Sequence, residues 1–293
     1  MIQDYLFAND TEEALAQLYR YAGTAMVIAG GTDLMVNVAD LKLKAQVLID
    51  VTRMEGFHKI ALKDGYLTIG AGVTMSEAAE NELIYAYARS LAVAAACVGS
   101  VQIRNAATLG GNIVKAQPAA DAAVMLVALG AVISVCGRSG KREILVEESY
   151  AGLGQSVVDP TKEIVSEIKF KALGNNQGCA YIRLAHRKAL ALPILNVGVI
   201  LSVDERKISK VRIVMAPVDI KPQRAMAAEE YLIGKMPSRE SFRTAAAMAI
   251  KDARPRDSFI HGSKEYRLSV LPSLVEKALL ESMEEIYKKE GGV

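Results

Sequence analysis

The chain reads as an α+β fold in two parts, and three observations carry that reading. Residues 1–173 alternate helical and strand patterns irregularly, whereas the last third runs three strands and then helices. Between them lies Gly174-Asn175-Asn176-Gln177-Gly178, a cluster of the turn-forming type that separates periodic segments.

The elements follow in order. Asp10-Thr11-Glu12-Glu13 places an N-cap residue three before an acid, a capping-box pattern. Ala14, Leu15, Leu18, Tyr19 and Ala22 then form one apolar face, which predicts a first helix. Met26–Ala29 and Val47–Val51 are short apolar strands. Tyr66-Leu67-Thr68-Ile69 alternates into Gly70 and Gly72, and Ser76 is placed to cap a long alanine-rich helix ending near Gly99. Ala122–Leu129 reads as a buried helix, and Ala131–Val135, Arg142–Val146 and Glu163–Phe170 as strands. Beyond the cluster, Ala180–Leu184, Ile194–Val203 and Lys210–Met215 predict an antiparallel sheet, with a turn at Asp204-Glu205-Arg206. Phe242, Ala245, Ala246, Ala249 and Ile250 mark a helix, and another helical region from Ser263 should be interrupted or kinked at Pro272. Its charged tail, Glu284–Glu290, reads as a solvated helix end.

Composition narrows the function. With 293 residues, 51% hydrophobic content and only 5% aromatic residues, the chain has an aliphatic, alanine-rich core for roughly two domains. A formal charge of +2, spread without a basic run, gives no footprint for nucleic acid. The N-terminus lacks a signal-peptide pattern and no apolar run is long enough to span a membrane, so a cytoplasmic protein with no membrane span is expected. Cys97, Cys136 and Cys179 are too dispersed for a disulfide framework, a zinc site or an iron–sulfur cluster; they read as three buried thiols. His58, His186 and His261 have no ligand spacing, so no metal site is expected. No nucleophile elbow or Ser/His/Asp pattern suggests a catalytic side chain.

Two glycine doublets carry the binding chemistry: Ala29-Gly30-Gly31-Thr32-Asp33-Leu34 and Thr108-Leu109-Gly110-Gly111-Asn112-Ile113. Glycine lets ligands approach bare backbone, and consecutive N–H groups in such a turn can form an anion nest. Thr32, Thr108 and Asn112 add side-chain donors. Each hydrogen bond to a charged oxygen contributes about 1.5–3 kcal/mol, so two loops could hold a pyrophosphate without a lysine or arginine clamp. Neither loop fits the P-loop or the G-x-G-x-x-G fingerprint. The competing reading of either pair alone is turn punctuation.

With these loops, Ile69-Gly70-Ala71-Gly72-Val73-Thr74, Gln102-Ile103-Arg104-Asn105, Pro118-Ala119-Ala120-Asp121, Arg187-Lys188-Ala189-Leu190-Ala191 and Tyr266-Arg267, nearly the whole chain resembles the FAD-binding medium subunit of the molybdenum hydroxylases. That family includes xanthine, nicotinate and carbon monoxide dehydrogenases. The resemblance implies an FAD-binding part of two α/β subdomains (PCMH-type), about 1–55 and 56–173, followed by a C-terminal domain, 174–293, with a small antiparallel sheet and helices.

It further implies FAD between the two glycine loops, held by Ala29, Gly30, Gly31, Thr32, Asp33, Leu34, Thr108, Leu109, Gly110, Gly111 and Asn112. Asp121 matches an acid that contacts the adenosine half of FAD, a carboxylate being an acceptor for ribose hydroxyls; the alternative is an acid at a helix N-terminus. Val165 matches an aliphatic residue near adenine or flavin, with core packing as its alternative. Arg183 stands where relatives often carry a cofactor-facing lysine, and a planar fork is not equivalent to an ammonium. The implied partners are a molybdopterin-binding large subunit and a 2Fe-2S small subunit, with NAD⁺ or another electron acceptor. The run from Arg187 to Pro193 departs from the xanthine dehydrogenase pattern toward bacterial three-subunit members acting on other heterocycles or aldehydes. Two further readings compete: a stand-alone FAD-dependent NADH:acceptor oxidoreductase, and an assembly subunit that has lost its flavin.

Overall fold

A computed structural model describes residues 2–40, 44–187 and 189–290; Lys188, within the run noted above, lies outside them. The chain opens with β1 (Asp4–Phe7), α1 (Thr11–Arg20), β2 (Ala25–Ile28), α2 (Leu34–Ala39) and β3 (Val47–Asp50). β3 pairs parallel with both β1 and β2; parallel strands require crossovers, which α1 and α2 provide. Asp10 caps α1 by accepting the Glu13 N–H at 2.8 Å, while the Glu13 carboxylate accepts the Asn9 N–H. This reciprocal bond reaches one residue further back than the usual capping box.

The next unit contains β4 (Ile60–Lys63), β5 (Tyr66–Gly70), α3 (Met75–Glu80), α4 (Glu82–Ala96), α5 (Val101–Arg104), α6 (Leu109–Val114), α7 (Asp121–Ala128), β6 (Val132–Gly137), β7 (Gly140–Leu145), β8 (Tyr150–Gly152), β9 (Gln155–Ser156) and β10 (Ile164–Lys171). Its main sheet is antiparallel in the order β4-β5-β10-β6-β7. The long helix expected after Ser76 is broken between α3 and α4, and α4 is itself kinked at Ala88. Thr74, not Ser76, is the first cap, making a capping box with Glu77, and Ser76 instead donates to Asn105 at 2.5 Å. Asn81 breaks the helix because its side chain accepts the N–H groups of Leu83 and Ile84, starting α4 afresh. Every residue of α7 is buried, as its unbroken apolar run requires.

The final unit holds β11 (Gln177–Ala185), β12 (Pro193–Asp204), β13 (Lys207–Ala216), β14 (Gln223–Arg224), α8 (Met226–Leu232), α9 (Arg239–Met248) and α10 (Lys264–Glu290). The sheet is antiparallel in chain order, and Glu205 and Arg206 turn it with positive φ. β12 is buried over its first ten residues because both sheet faces are covered, by α4 and α7 on one side and by α8 and α10, with α9 packed on them, on the other. Pro272 lies inside α10 without ending it, eight residues from the N-terminus. One face of the charged end of α10 is docked, while Glu284, Tyr287 and Lys288 on the other stay exposed. Ile286 is fully buried, Glu285 accepts the Cys179 N–H at 2.7 Å and Lys289 donates to the Gln177 carbonyl at 2.9 Å. Of the three thiols only Cys179 is buried; Cys97 and Cys136 are half-buried.

Two hydrophobic cores result. One joins the first two units and extends through α7 to Tyr181, Ile200 and Val214; the other fills the space between β11–β13 and the last three helices. Among the described residues no helix is long and apolar enough to cross a membrane.

Candidate functional site

β2 delivers the chain into the first glycine loop, and the turn before α6 delivers the second. The loops meet directly: a Cβ on Gly30 would stand 1.7 Å from the Ala106 carbonyl oxygen, so only glycine permits the approach. Gly31 has φ +67°, a left-handed conformation that costs other residues roughly 1–2 kcal/mol. Among the described residues, the N–H groups of Gly30, Gly31, Thr32, Asp33 and Leu34 donate to no backbone carbonyl. Five adjacent donors are therefore left for a ligand or water.

The second doublet behaves differently. It was expected as an open loop, but Gly110 and Gly111 lie in the first turn of α6. Leu109 N–H donates to Val73, Gly110 to Ala71, Asn112 to the Thr108 carbonyl, and Gly111 to Thr108 Oγ1 at 3.0 Å. These groups are already used. What α6 offers a ligand is its side chains: Asn112 Oδ1 is buried without a partner, an arrangement that costs about 1–3 kcal/mol unless something fills it. Gly110 serves packing, since a Cβ there would be 2.7 Å from Ala71. Leu109 is fully buried and lines neither cleft described below.

Two clefts flank this contact. The first, about 290 Å³, is walled by Ala29–Leu34, Thr108, Gly110–Asn112 and an apolar set including Val27, Val51, Phe57, Ile164 and Val165. The second, about 890 Å³, lies between the second unit and the last, against Asp121, Leu190–Leu192 and the 254–258 segment. Asp33, Val98, Asn112 and Lys115 line both, so the two are arms of one groove. Lys115 is the one cation lining the first arm among the described residues. Its Nζ is 3.8 Å from Asp33 across the junction. Sequence reasoning missed it; Lys115 stands three residues after Asn112, one helical turn along, a signal visible only once 109–114 is read as helix.

Asp121 and Arg183 form a buried pair, not an open ligand set. Asp121 Oδ1 accepts from Tyr181 at 2.5 Å and Arg183 Nε at 2.8 Å, and Asn196 donates to the Tyr181 hydroxyl at 3.1 Å. Burial, reinforced by the Asp121 charge, pushes the Tyr181 phenol well above its ordinary value, so it remains a donor. Arg183 lines neither arm; its Nη2 donates to the Ala191 carbonyl, fixing a residue of the second arm. Asp121 lines that arm but its bonded oxygen is committed.

An apolar arm, five unclaimed N–H groups with a cation at the elbow, and a wider arm of mixed polarity define a protein that binds an elongated, anionic nucleotide cofactor. The comparisons agree. Residues 1–170 match the FAD binding domain in molybdopterin dehydrogenase and residues 180–282 the CO dehydrogenase flavoprotein C-terminal domain; the chain belongs to this family of flavoprotein subunits of molybdenum hydroxylases. It is 29% identical over 281 residues to the 6-hydroxypseudooxynicotine dehydrogenase complex subunit alpha of Paenarthrobacter nicotinovorans, covering 96% of this chain and 94% of that one. It is 30% identical over 203 residues to the nicotinate dehydrogenase FAD-subunit of Eubacterium barkeri, covering 68% and 69%. In fold it matches carbon monoxide dehydrogenase from Hydrogenophaga pseudoflava with a TM-score of 0.91 and 24% identity, over 97% of this chain and 98% of that one. The cofactor is FAD, and the chain is an oxidoreductase subunit.

Proposed function

We propose that this chain is the electron-transfer subunit of a three-component molybdenum hydroxylase, with residues 1–173 holding FAD and 174–293 closing over it. When bound between residues 29–34 and α6, FAD would supply the one- and two-electron redox chemistry that links 2Fe-2S clusters on a small subunit to NAD⁺ or another acceptor. The substrate is oxidised on a molybdopterin-binding large subunit. Similarity to a nicotinate dehydrogenase FAD-subunit and a carbon monoxide dehydrogenase medium chain supports a subunit role in a larger dehydrogenase.

The observation that carries the reading is the row of unclaimed N–H groups from Gly30 to Leu34 beside Lys115. They suit a diphosphate, whose two charges need donors and a counter-charge. The orphaned Asn112 oxygen and the Thr108 hydroxyl would bond the polar linker, and Ala29 and Val165 would pack on one of the two ring systems of FAD, the one seated in the apolar arm. Asp121 and Arg183 serve the cofactor indirectly, through Tyr181 and Ala191, by fixing the second arm's wall. No side chain of this chain is assigned acid–base chemistry.

The test is an absorption spectrum of the purified full-length protein from about 300 to 600 nm, with released cofactor identified by chromatography and partners by native purification. FAD near one per chain, with a molybdopterin-binding and a cysteine-rich subunit, is expected. FAD without such partners would favour a stand-alone oxidoreductase. A colourless protein that takes up no added FAD would leave a scaffold.

A further inference from the structure

Arg267 is 3% exposed and walls the second arm. Its two terminal nitrogens donate to the carbonyls of Pro217, at 2.6 Å, and Arg256; its Nε is buried with no partner. Among the described residues no carboxylate comes within ion-pair distance of it. Asp257 acts on it only at longer range, and burial pulls the guanidinium below its ordinary value. A buried cation without a counter-ion is costly, by several kcal/mol, and carbonyl oxygens return only part of that.

The other charges of this arm are neutralised or screened. Lys115 is paired with Asp33, and Asp121 with Arg183 behind the wall, whereas Arg254, Arg256 and Asp257 are exposed and Asp219 is half-buried, where solvent and salt screen them. Arg267 alone keeps an unscreened positive field. What that field favours is a group that becomes more negative in the arm. The isoalloxazine ring of FAD does so on reduction, and the second arm is the wider one. Leu190, Leu192, Phe259 and Ile260, in two loops tied by His261 Nδ1 to the Pro193 carbonyl at 2.7 Å, leave exposed apolar surface at its mouth, as electron exchange with another protein requires.

We propose, on the basis of the FAD reading above, that the second arm receives the redox-active ring and that Arg267 sets its reduction potential by favouring the reduced form. A compact space of about 890 Å³ is about 12 Å across, and a unit charge at about 12 Å in an effective dielectric of about 20 biases a charge change roughly ten-fold.

The experiment is spectroelectrochemical titration of the FAD-loaded full-length protein, comparing wild type with Arg267→Gln, Arg267→Lys and Asp257→Asn. Arg267→Gln should lose about ten-fold of the preference for reduced over oxidised FAD, a shift of about −30 mV for a two-electron couple. Arg267→Lys should restore most of it. Asp257→Asn, which leaves both Arg267 hydrogen bonds and an acceptor for the Lys264 N–H in place, should shift the potential upward. A merely structural arginine would alter thermal stability and FAD content without this ordering of potentials. Bound FAD with potentials unmoved in Arg267→Gln and Asp257→Asn overturns the inference; should Arg267→Gln not fold, the sign of the Asp257→Asn shift decides it. Absence of FAD from the wild-type protein would overturn the functional reading as well, so the two failures are distinguishable.

Discussion

The two glycine doublets look alike in sequence and do different work in the fold. The first keeps its N–H groups unclaimed because, among the described residues, no strand or helix offers them acceptors. The second spends its N–H groups on Val73, Ala71 and Thr108, anchoring α6 to the turn after β5, and presents Asn112 and Lys115 instead. A Gly-Gly pair thus specifies close approach, while the tertiary acceptors around it decide whether the backbone is available to a ligand. One loop supplies backbone donors, the other side chains, and Gly30 against Ala106 brings them together.

The sharpest way to break this pairing is Gly30→Val, because the added Cβ overlaps a backbone carbonyl that cannot swing aside. It should cost about 3 kcal/mol or more, lower the melting temperature by on the order of 10 °C, and abolish FAD binding. Thermal unfolding beside flavin quantification would measure both, and unchanged stability would show that the loops separate freely. Gly111→Val should act the opposite way. Gly111 is exposed, lies outside the positive-φ glycines, and a Cβ there meets only the Thr108 hydroxyl at 2.9 Å. The protein should fold with a loss of about 1 kcal/mol from the crowded Thr108 cap, yet its flavin-to-protein absorbance ratio should fall strongly, since the side chain projects from a cleft-lining position. Full flavin occupancy in that variant would remove α6 from the binding site.

The legible part of this molecule is the part written in local pattern. α7 shows as an apolar run, and β11 to β13 as strands punctuated by turns. Resemblance supplied the cofactor, since composition pointed only away from nucleic acid and metal. The misreadings share one physical cause: a polar side chain or backbone group finding a distant partner. Ser76 looked like a cap but bonds Asn105, while Thr74 two residues earlier has the Glu77 reach. Glu284–Glu290 looked solvated because Glu285 and Lys289 are charged, and nothing local reveals that Cys179 N–H and the Gln177 carbonyl await them on β11. Local pattern hides in the same way that Tyr181 and Arg183, some sixty residues away, hold Asp121 Oδ1. Lys115 was overlooked because six residues containing two glycines do not read as a helix.

Lys115 offers the finest test of the division of labour between the loops, with the smallest expected effect. If the first loop supplies donors and α6 supplies charge, Lys115→Met should leave the fold and the spectrum of bound FAD intact. The FAD dissociation constant should rise about ten-fold, near the low end for a charge-assisted hydrogen bond. Titrating FAD into apoprotein at two salt concentrations separates charge from packing: the wild-type affinity should fall with salt more steeply than the variant's, because a partly exposed ion pair is screened. Lys115→Arg should keep the salt dependence, since the cation survives even where the planar fork fits the diphosphate differently. Equal affinity and equal salt slopes in wild type and Lys115→Met would mean that the unclaimed N–H groups of residues 30–34 hold the diphosphate alone, and that the 3.8 Å approach of Lys115 to Asp33 only closes the junction between the arms.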